Sequence, residues 1–195
     1  VDRVESMVRQ DRNHASVLIW SLGNESYGGE VFRSMYRRSR ELDPARPVHY
    51  EGVTWDREFD DVSDIESRMY ALPDAIEEYL RSAPKKPYLS CEYMHSMGNS
   101  VGGLQLYTAL ESYPEYGGGF MWDLVDQALY HEATAASGGE FLAYGGDFGD
   151  RPCDWEFSCD GILFADRTPK PQAQAVKALY SPVTLTPSSD GIAVS

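Results

Sequence analysis

The sequence predicts an α/β fold with parallel strands. Short apolar runs rich in β-branched and aromatic residues alternate with amphipathic helical segments, and glycine or proline marks most junctions. Right-handed crossovers through the helices are the simplest way to pair such runs.

Val1 to Asn13 reads as a helix. Val17-Leu18-Ile19-Trp20-Ser21-Leu22 is too short for one; it is stopped by Gly23 and suits a strand buried on both faces. A helix follows from Glu30 to Leu42, with Val31, Phe32, Met35, Tyr36 and Leu42 on one side and Arg33, Arg37, Arg38 and Arg40 over much of the other. Asp43-Pro44 and Arg46-Pro47 end it, because a proline pushes the residue before it out of the α region. Val48-His49-Tyr50-Glu51 is the second strand and Ile65 to Tyr70 the third. Pro73 opens a helix that runs to Ser82, and Lys85-Lys86-Pro87 turns into the fourth strand, Tyr88 to Cys91. Another helix fits Leu104 to Ser112. Gly117-Gly118-Gly119 then releases the fifth strand, Phe120-Met121-Trp122. Residues 124 to 170, rich in Gly, Asp and aromatics, read as long ordered loops. In the tail, Val183-Thr184-Leu185 and Ile192-Ala193-Val194 flank a Ser-Ser-Asp-Gly turn and read as the beginning of something further.

The charge balance excludes several partners. With 17 Lys+Arg against 31 Asp+Glu, the net charge is -14, concentrated after residue 50. Such a surface repels phosphate backbones and acidic lipids, so no nucleic-acid or membrane partner is expected. No apolar run approaches the roughly 20 residues of a membrane helix. Cys91, Cys153 and Cys159 are an odd number without a C-x-x-C pair, so they read as reduced thiols. Val1 opens a helix rather than a leader, so the chain reads as a piece of a longer polypeptide, with a cytoplasmic setting expected.

Five parallel strands admit an open doubly wound sheet or a truncated (β/α)8 barrel, which needs about 250 residues when complete. Neither G-x-G-x-x-G nor G-x-x-x-x-G-K-[ST] occurs, which removes the commonest reason to prefer the open sheet. In both architectures the chemistry sits beyond the carboxyl ends of the strands. Glu25 follows the first strand and Glu92 the fourth. Two carboxyls facing one space are the minimum equipment for glycoside hydrolysis, one protonating the leaving oxygen and the other attacking the anomeric carbon. Taken singly, Glu25 also suits a helix N-terminal acid and Glu92 a partner for an arginine. Glu92-Tyr93-Met94-His95 has the Glu-x-x-His spacing of di-iron bundles, but a second copy is missing. His95 could equally hydrogen-bond a substrate hydroxyl, while His14, His49 and His131 show no ligand spacing. Tyr70 and Trp122, at strand ends, fit a carbohydrate cleft or simple core packing. Asp123, Asp126, Asp147, Asp150 and Asp160 read as turn residues or as oxygen ligands for a hard cation.

Longer strings carry a resemblance. Leu18 to Ser26 resembles the acid/base segment of glycoside hydrolase family 2, and Cys91-Glu92-Tyr93-Met94-His95-Ser96-Met97-Gly98-Asn99-Ser100 the nucleophile segment of its large β-galactosidases rather than of its glucuronidases. Gly118 to Asp123, Tyr144 to Asp150 and Gly161 to Pro169 continue the similarity in order, from about Met7 to Pro171. The resemblance implies a (β/α)8 TIM barrel of which this chain supplies about the fourth to eighth strands, in residues 1–180, with 181–195 beginning a linker or a following β-sandwich. It implies retaining hydrolysis of terminal β-galactosides such as lactose, with Glu92 as nucleophile and Glu25 as general acid/base. Asn24 would bind the 2-hydroxyl, and Tyr70, His95 and Trp122 would line the sugar pocket. A Mg²⁺ ion would lie against Glu25, and a Na⁺ ion would use the carbonyl of Phe157 and the residue at Asp160, where the family has asparagine. The implied partners are the β-galactoside, the remaining domains of the full-length chain and other copies in a homo-oligomer. The alternatives are another family 2 glycosidase, such as a glucuronidase, and a non-catalytic carbohydrate-binding fragment.

Overall fold

The computed structural model describes residues 1–132, 139–183 and 185–194. Its elements are α1 (Asp2–Asp11), β1 (Trp20–Ser21), α2 (Glu30–Leu42), β2 (Val48–His49), β3 (Glu66–Met69), α3 (Pro73–Arg81), β4 (Tyr88–Tyr93), α4 (Leu104–Thr108), β5 (Tyr116–Met121), β6 (Leu129–His131), β7 (Phe141–Ala143), α5 (Ala173–Leu179), β8 (Leu185–Ser188) and β9 (Gly191–Val194). They fall into two compact units, Val1–Tyr93 with Leu110–Phe120, and Met94–Ala109 with Met121–Ser195.

In the first unit β1 and β2 pair in parallel, Trp20 opposite Val48 and Ser21 opposite His49. A separate sheet runs β3-β4-β5, with β3 and β4 parallel. The core gathers Val4 and Val8 of α1, Trp20 and Leu22, Val48 and Tyr50, and Val53 and Val62 from the turns after β2, with Phe32, Met35 and Tyr36 of α2 packed on it. Phe32 stacks on Tyr50 with ring centroids 4.0 Å apart. On α3, Ile76 and Leu80 are buried, at the i,i+4 spacing that one helical face requires.

Several expectations need correction. The first strand is only Trp20–Ser21 and is buried on one side: Trp20 and Leu22 enter the core, whereas Ile19 and Ser21 line a cavity. Val31 lies at the margin of the α2 stripe and is 56% exposed; the buried position the pattern hid is Ser39, whose Oγ donates to the Met35 carbonyl. The Gly117-Gly118-Gly119 run is part of β5 rather than the segment that precedes it. A Cβ on Gly117 would sit 2.9 Å from the Tyr88 carbonyl oxygen, and one on Gly119 2.9 Å from Cβ of Ser90 and 3.0 Å from the Tyr93 ring. Only glycine lets these backbones approach.

In the second unit, part of the segment read as loop is ordered as a hairpin, β6 pairing antiparallel with β7, Leu129 opposite Ala143. An isolated parallel bridge joins Val125 to Leu163 and an antiparallel one joins Leu163 to Pro169. These runs are too short to show a period of two. Buried Leu104 and Tyr107 of α4 and Val176 of α5 build a small core, and β8 and β9 form an antiparallel hairpin as the tail suggested. Residues 133–138 of the loop segment, and Thr184 and Ser195 of the tail, lie outside the described residues.

Candidate active site

A cavity of about 260 Å³ opens in the first unit at the ends of its strands. It is lined by Ile19, Ser21, Gly23, Asn24, His49 and Glu51 from the β1 and β2 segments, by Leu89, Cys91 and Glu92 of β4, and by Phe120 of β5. Strand alternation puts Leu89 and Cys91 on this face and should put Glu92 with Ser90 on the other. The register explains why it does not. Arg68 of β3 faces Ser90, but the next residue, Met69, faces Glu92, so Cys91 is an extra residue in β4. The resulting bulge re-aims the strand end and brings Glu92 to the cavity beside Cys91. Because Glu92 lies on a strand, the di-iron helix reading is excluded.

Tyr70 holds Glu92 twice. Its phenol donates to Glu92 Oε2 at 2.9 Å and its backbone N–H donates to the Glu92 carbonyl at 2.9 Å. Tyr70 has a positive φ of 52°, a conformation costing a non-glycine residue about 1–2 kcal/mol and kept where the surroundings demand it.

Glu25 also has a positive φ, 46°. Its side chain is exposed and does not line the cavity, whereas its neighbour Asn24 does. The Glu25 backbone N–H donates to Oε1 of Glu51 at 2.5 Å. Glu51 is only 2% exposed. Burial, followed by the charges of Glu25 and Glu92, pushes its carboxyl above the ordinary range, and its hydrogen bonds offset part of that rise. Both glutamates singled out from the sequence therefore lie within electrostatic reach of the same buried group. Glu51 escaped the sequence reading; its only signal was its place at the end of a strand whose alternate residues face inward.

Two further linings were also missed. His49 is buried with Nδ1 3.0 Å from Ser21 Oγ, and desolvation pushes its pKa down to about 4, so the ring is neutral. Burial raises the Cys91 thiol to about 11, which leaves it protonated and unreactive.

The other candidates lie in the second unit and are tied to one another. Trp122 Nε1 donates to Asp160 Oδ2 at 3.2 Å, the Asp123 N–H to the Asp160 carbonyl at 2.7 Å, and the Ser96 N–H to the Trp122 carbonyl at 2.8 Å. The His95 ring lies 5.6 Å from that of Phe157. Asp126 pairs with Lys170 at 2.6 Å and accepts the Gly161 N–H, a structural duty. Asp147 and Asp150 accept backbone N–H groups of their own turn, Tyr144 and Gly146. Asp160 differs from these. It is 2% exposed, and its Oδ1 is buried without a hydrogen-bond partner among the described residues, an oxygen that a cation would satisfy. Among the described residues no three His, Cys, Asp or Glu side chains converge as a metal site, so Glu25 is not accompanied here by a full ligand set.

Residues 1–185 match the family described as "Glycosyl hydrolases family 2, TIM barrel domain". The chain belongs to glycosyl hydrolase family 2. "Beta-galactosidase BgaC" of Bifidobacterium adolescentis is 61% identical over 97% of the chain and 19% of that protein. "Beta-galactosidase" of Streptococcus thermophilus is 53% identical over 100% of the chain and 21% of that protein. The chain thus spans about a fifth of the length of these curated relatives. A solved family 2 glycosyl hydrolase from Bacteroides cellulosilyticus shares the fold with a TM-score of 0.66 at 21% identity, covering 95% of this chain and 23% of that one. Family 2 membership decides between the two architectures: the parallel α/β segments are part of a TIM barrel, not of an open doubly wound sheet.

Proposed function

We propose that the full-length protein carrying this chain is a retaining β-galactosidase that removes terminal, non-reducing β-D-galactose from substrates such as lactose. The observation that carries this reading is the β4 bulge, which turns Glu92 into a cavity walled by Asn24, beside the turn that bears Glu25. The names of the two family 2 relatives support galactose as the sugar.

In the proposed mechanism the Glu92 carboxylate attacks the anomeric carbon and forms a galactosyl ester, while Glu25 protonates the departing oxygen. Glu25 then accepts a proton from the water that hydrolyses the ester. The Tyr70 phenol steadies Glu92 Oε2 and orients the other oxygen for attack. Asn24 meets the 2-hydroxyl. Retention asks the two carboxyl groups to stand about 5–5.5 Å apart in the assembled enzyme.

Two ions belong to the proposal. A Mg²⁺ ion against Glu25 would draw its other ligands from elsewhere in the protein and supply positive charge beside the acid/base. A Na⁺ ion would be held by Oδ1 of Asp160, which has no hydrogen-bond partner among the described residues, together with the Phe157 carbonyl. The complete enzyme is proposed to work as a homo-oligomer. The deciding experiment traps the intermediate with a 2-deoxy-2-fluoro-β-galactoside and maps the labelled peptide by mass spectrometry. Label on Glu92 is expected; label on Glu25 would reverse the two roles, and no labelling together with no turnover of any aryl β-galactoside would reject the activity.

A further inference from the structure

Glu51 is, with Glu92, one of two carboxylates lining the cavity, and the mechanism above leaves it without a part. Three consecutive residues there grip the turn that carries Glu25. The Tyr50 hydroxyl donates to the Ser26 carbonyl at 2.5 Å, Glu51 Oε1 accepts the Glu25 N–H at 2.5 Å, and a Cβ on Gly52 would lie 2.2 Å from the Ser26 carbonyl oxygen. The grip is itself anchored. Tyr50 and Val53 are fully buried, the Tyr50 N–H donates to Ser63 Oγ at 3.0 Å, and Thr54 Oγ1 donates to the Ser67 carbonyl at 2.7 Å. Glu25 and Ser26 therefore rest on a rigid buried shelf, although Glu25 occupies a left-handed conformation that few non-glycine residues adopt.

We infer that Glu51 is a positioning residue for the proposed acid/base: its buried side-chain oxygen, by accepting the Glu25 N–H, holds the turn in the conformation from which Glu25 donates its proton. The inference rests on the galactosidase reading for its kinetic consequence but not for its structural one. What the turn needs from Glu51 is an acceptor of the right length, so a glutamine should serve and an alanine should not.

The test compares Glu51→Gln and Glu51→Ala in the full-length protein. Methyl β-galactoside has a poor leaving group that requires protonation, and 2,4-dinitrophenyl β-galactoside has one that does not. Glu51→Ala is expected to lower kcat/KM on the methyl glycoside by about a hundredfold and on the dinitrophenyl glycoside by less than about tenfold, per site titrated with the fluorosugar. Glu51→Gln should stay within about threefold of wild type on both. Hydrogen exchange of the peptide spanning residues 24–27 should be faster in Glu51→Ala and unchanged in Glu51→Gln. An equal loss on both substrates, a glutamine variant as impaired as the alanine variant, or an exchange rate that Glu51→Ala leaves untouched would overturn the inference. If wild type cleaves neither galactoside, the galactosidase reading fails, and the exchange rates still decide whether Glu51 holds the turn.

Discussion

His49 shows how much one buried side chain can set the pH response of this domain. It is 6% exposed, its Nε2 has no hydrogen-bond partner among the described residues, and desolvation holds its pKa near 4 rather than the ordinary 6.5. The folded pKa is depressed, so the contribution is fully present above the unfolded value and is lost as pH falls through the folded one. Below about pH 6.5 the unfolded chain takes up a proton that the folded chain refuses until about pH 4, at a cost approaching 3 kcal/mol. The unfolding midpoint of the full-length protein should fall more between about pH 7 and 5 in wild type than in His49→Gln. Parallel falls would remove His49 from the account. Nothing in the local sequence marked this histidine, because its environment is assembled by the β1–β2 pairing that places Ser21 opposite it.

Among the elements, α2 and α3 were legible nearly to the residue, since an amphipathic stripe and flanking prolines act within one or two turns of chain. The glycine run of β5 was misread for an equally physical reason. Three glycines in a row suggest a break before the strand, and only the neighbouring strand reveals that Gly117 and Gly119 lie where a methyl group would strike β4. Gly119→Ala is accordingly expected to destabilise the domain by about 1–3 kcal/mol. It should also lower activity, because β4 carries Glu92. Denaturant unfolding of the full-length variant checks the first point, and an unchanged midpoint would show that β4 and β5 can part without cost.

For the whole molecule, the consequence of spanning about a fifth of a relative's length is exposure. Leu18 is 71% exposed, Leu129 68%, Ile192 67% and Phe120 59%, the last on the cavity wall. The β1–β2 pair also leaves a strand edge open among the described residues. The 195-residue chain expressed alone is therefore expected to self-associate and to release no nitrophenol from a nitrophenyl β-galactoside. Light scattering with a turnover assay tests both halves; a monomer that turns over substrate would show that this segment is self-sufficient.

The alternating α/β plan, the two strand-end glutamates and the string from Cys91 to Ser100 were determined by the sequence itself, because each is written in residues adjacent along the chain. Tertiary structure alone decided the rest. The extra residue in β4 exists only relative to β3, the Glu25 turn is held by a residue 26 positions away, and Trp122 meets Asp160 across 38. Strand register and long-range hydrogen bonds are chosen by packing over the whole domain, and no local pattern encodes that choice.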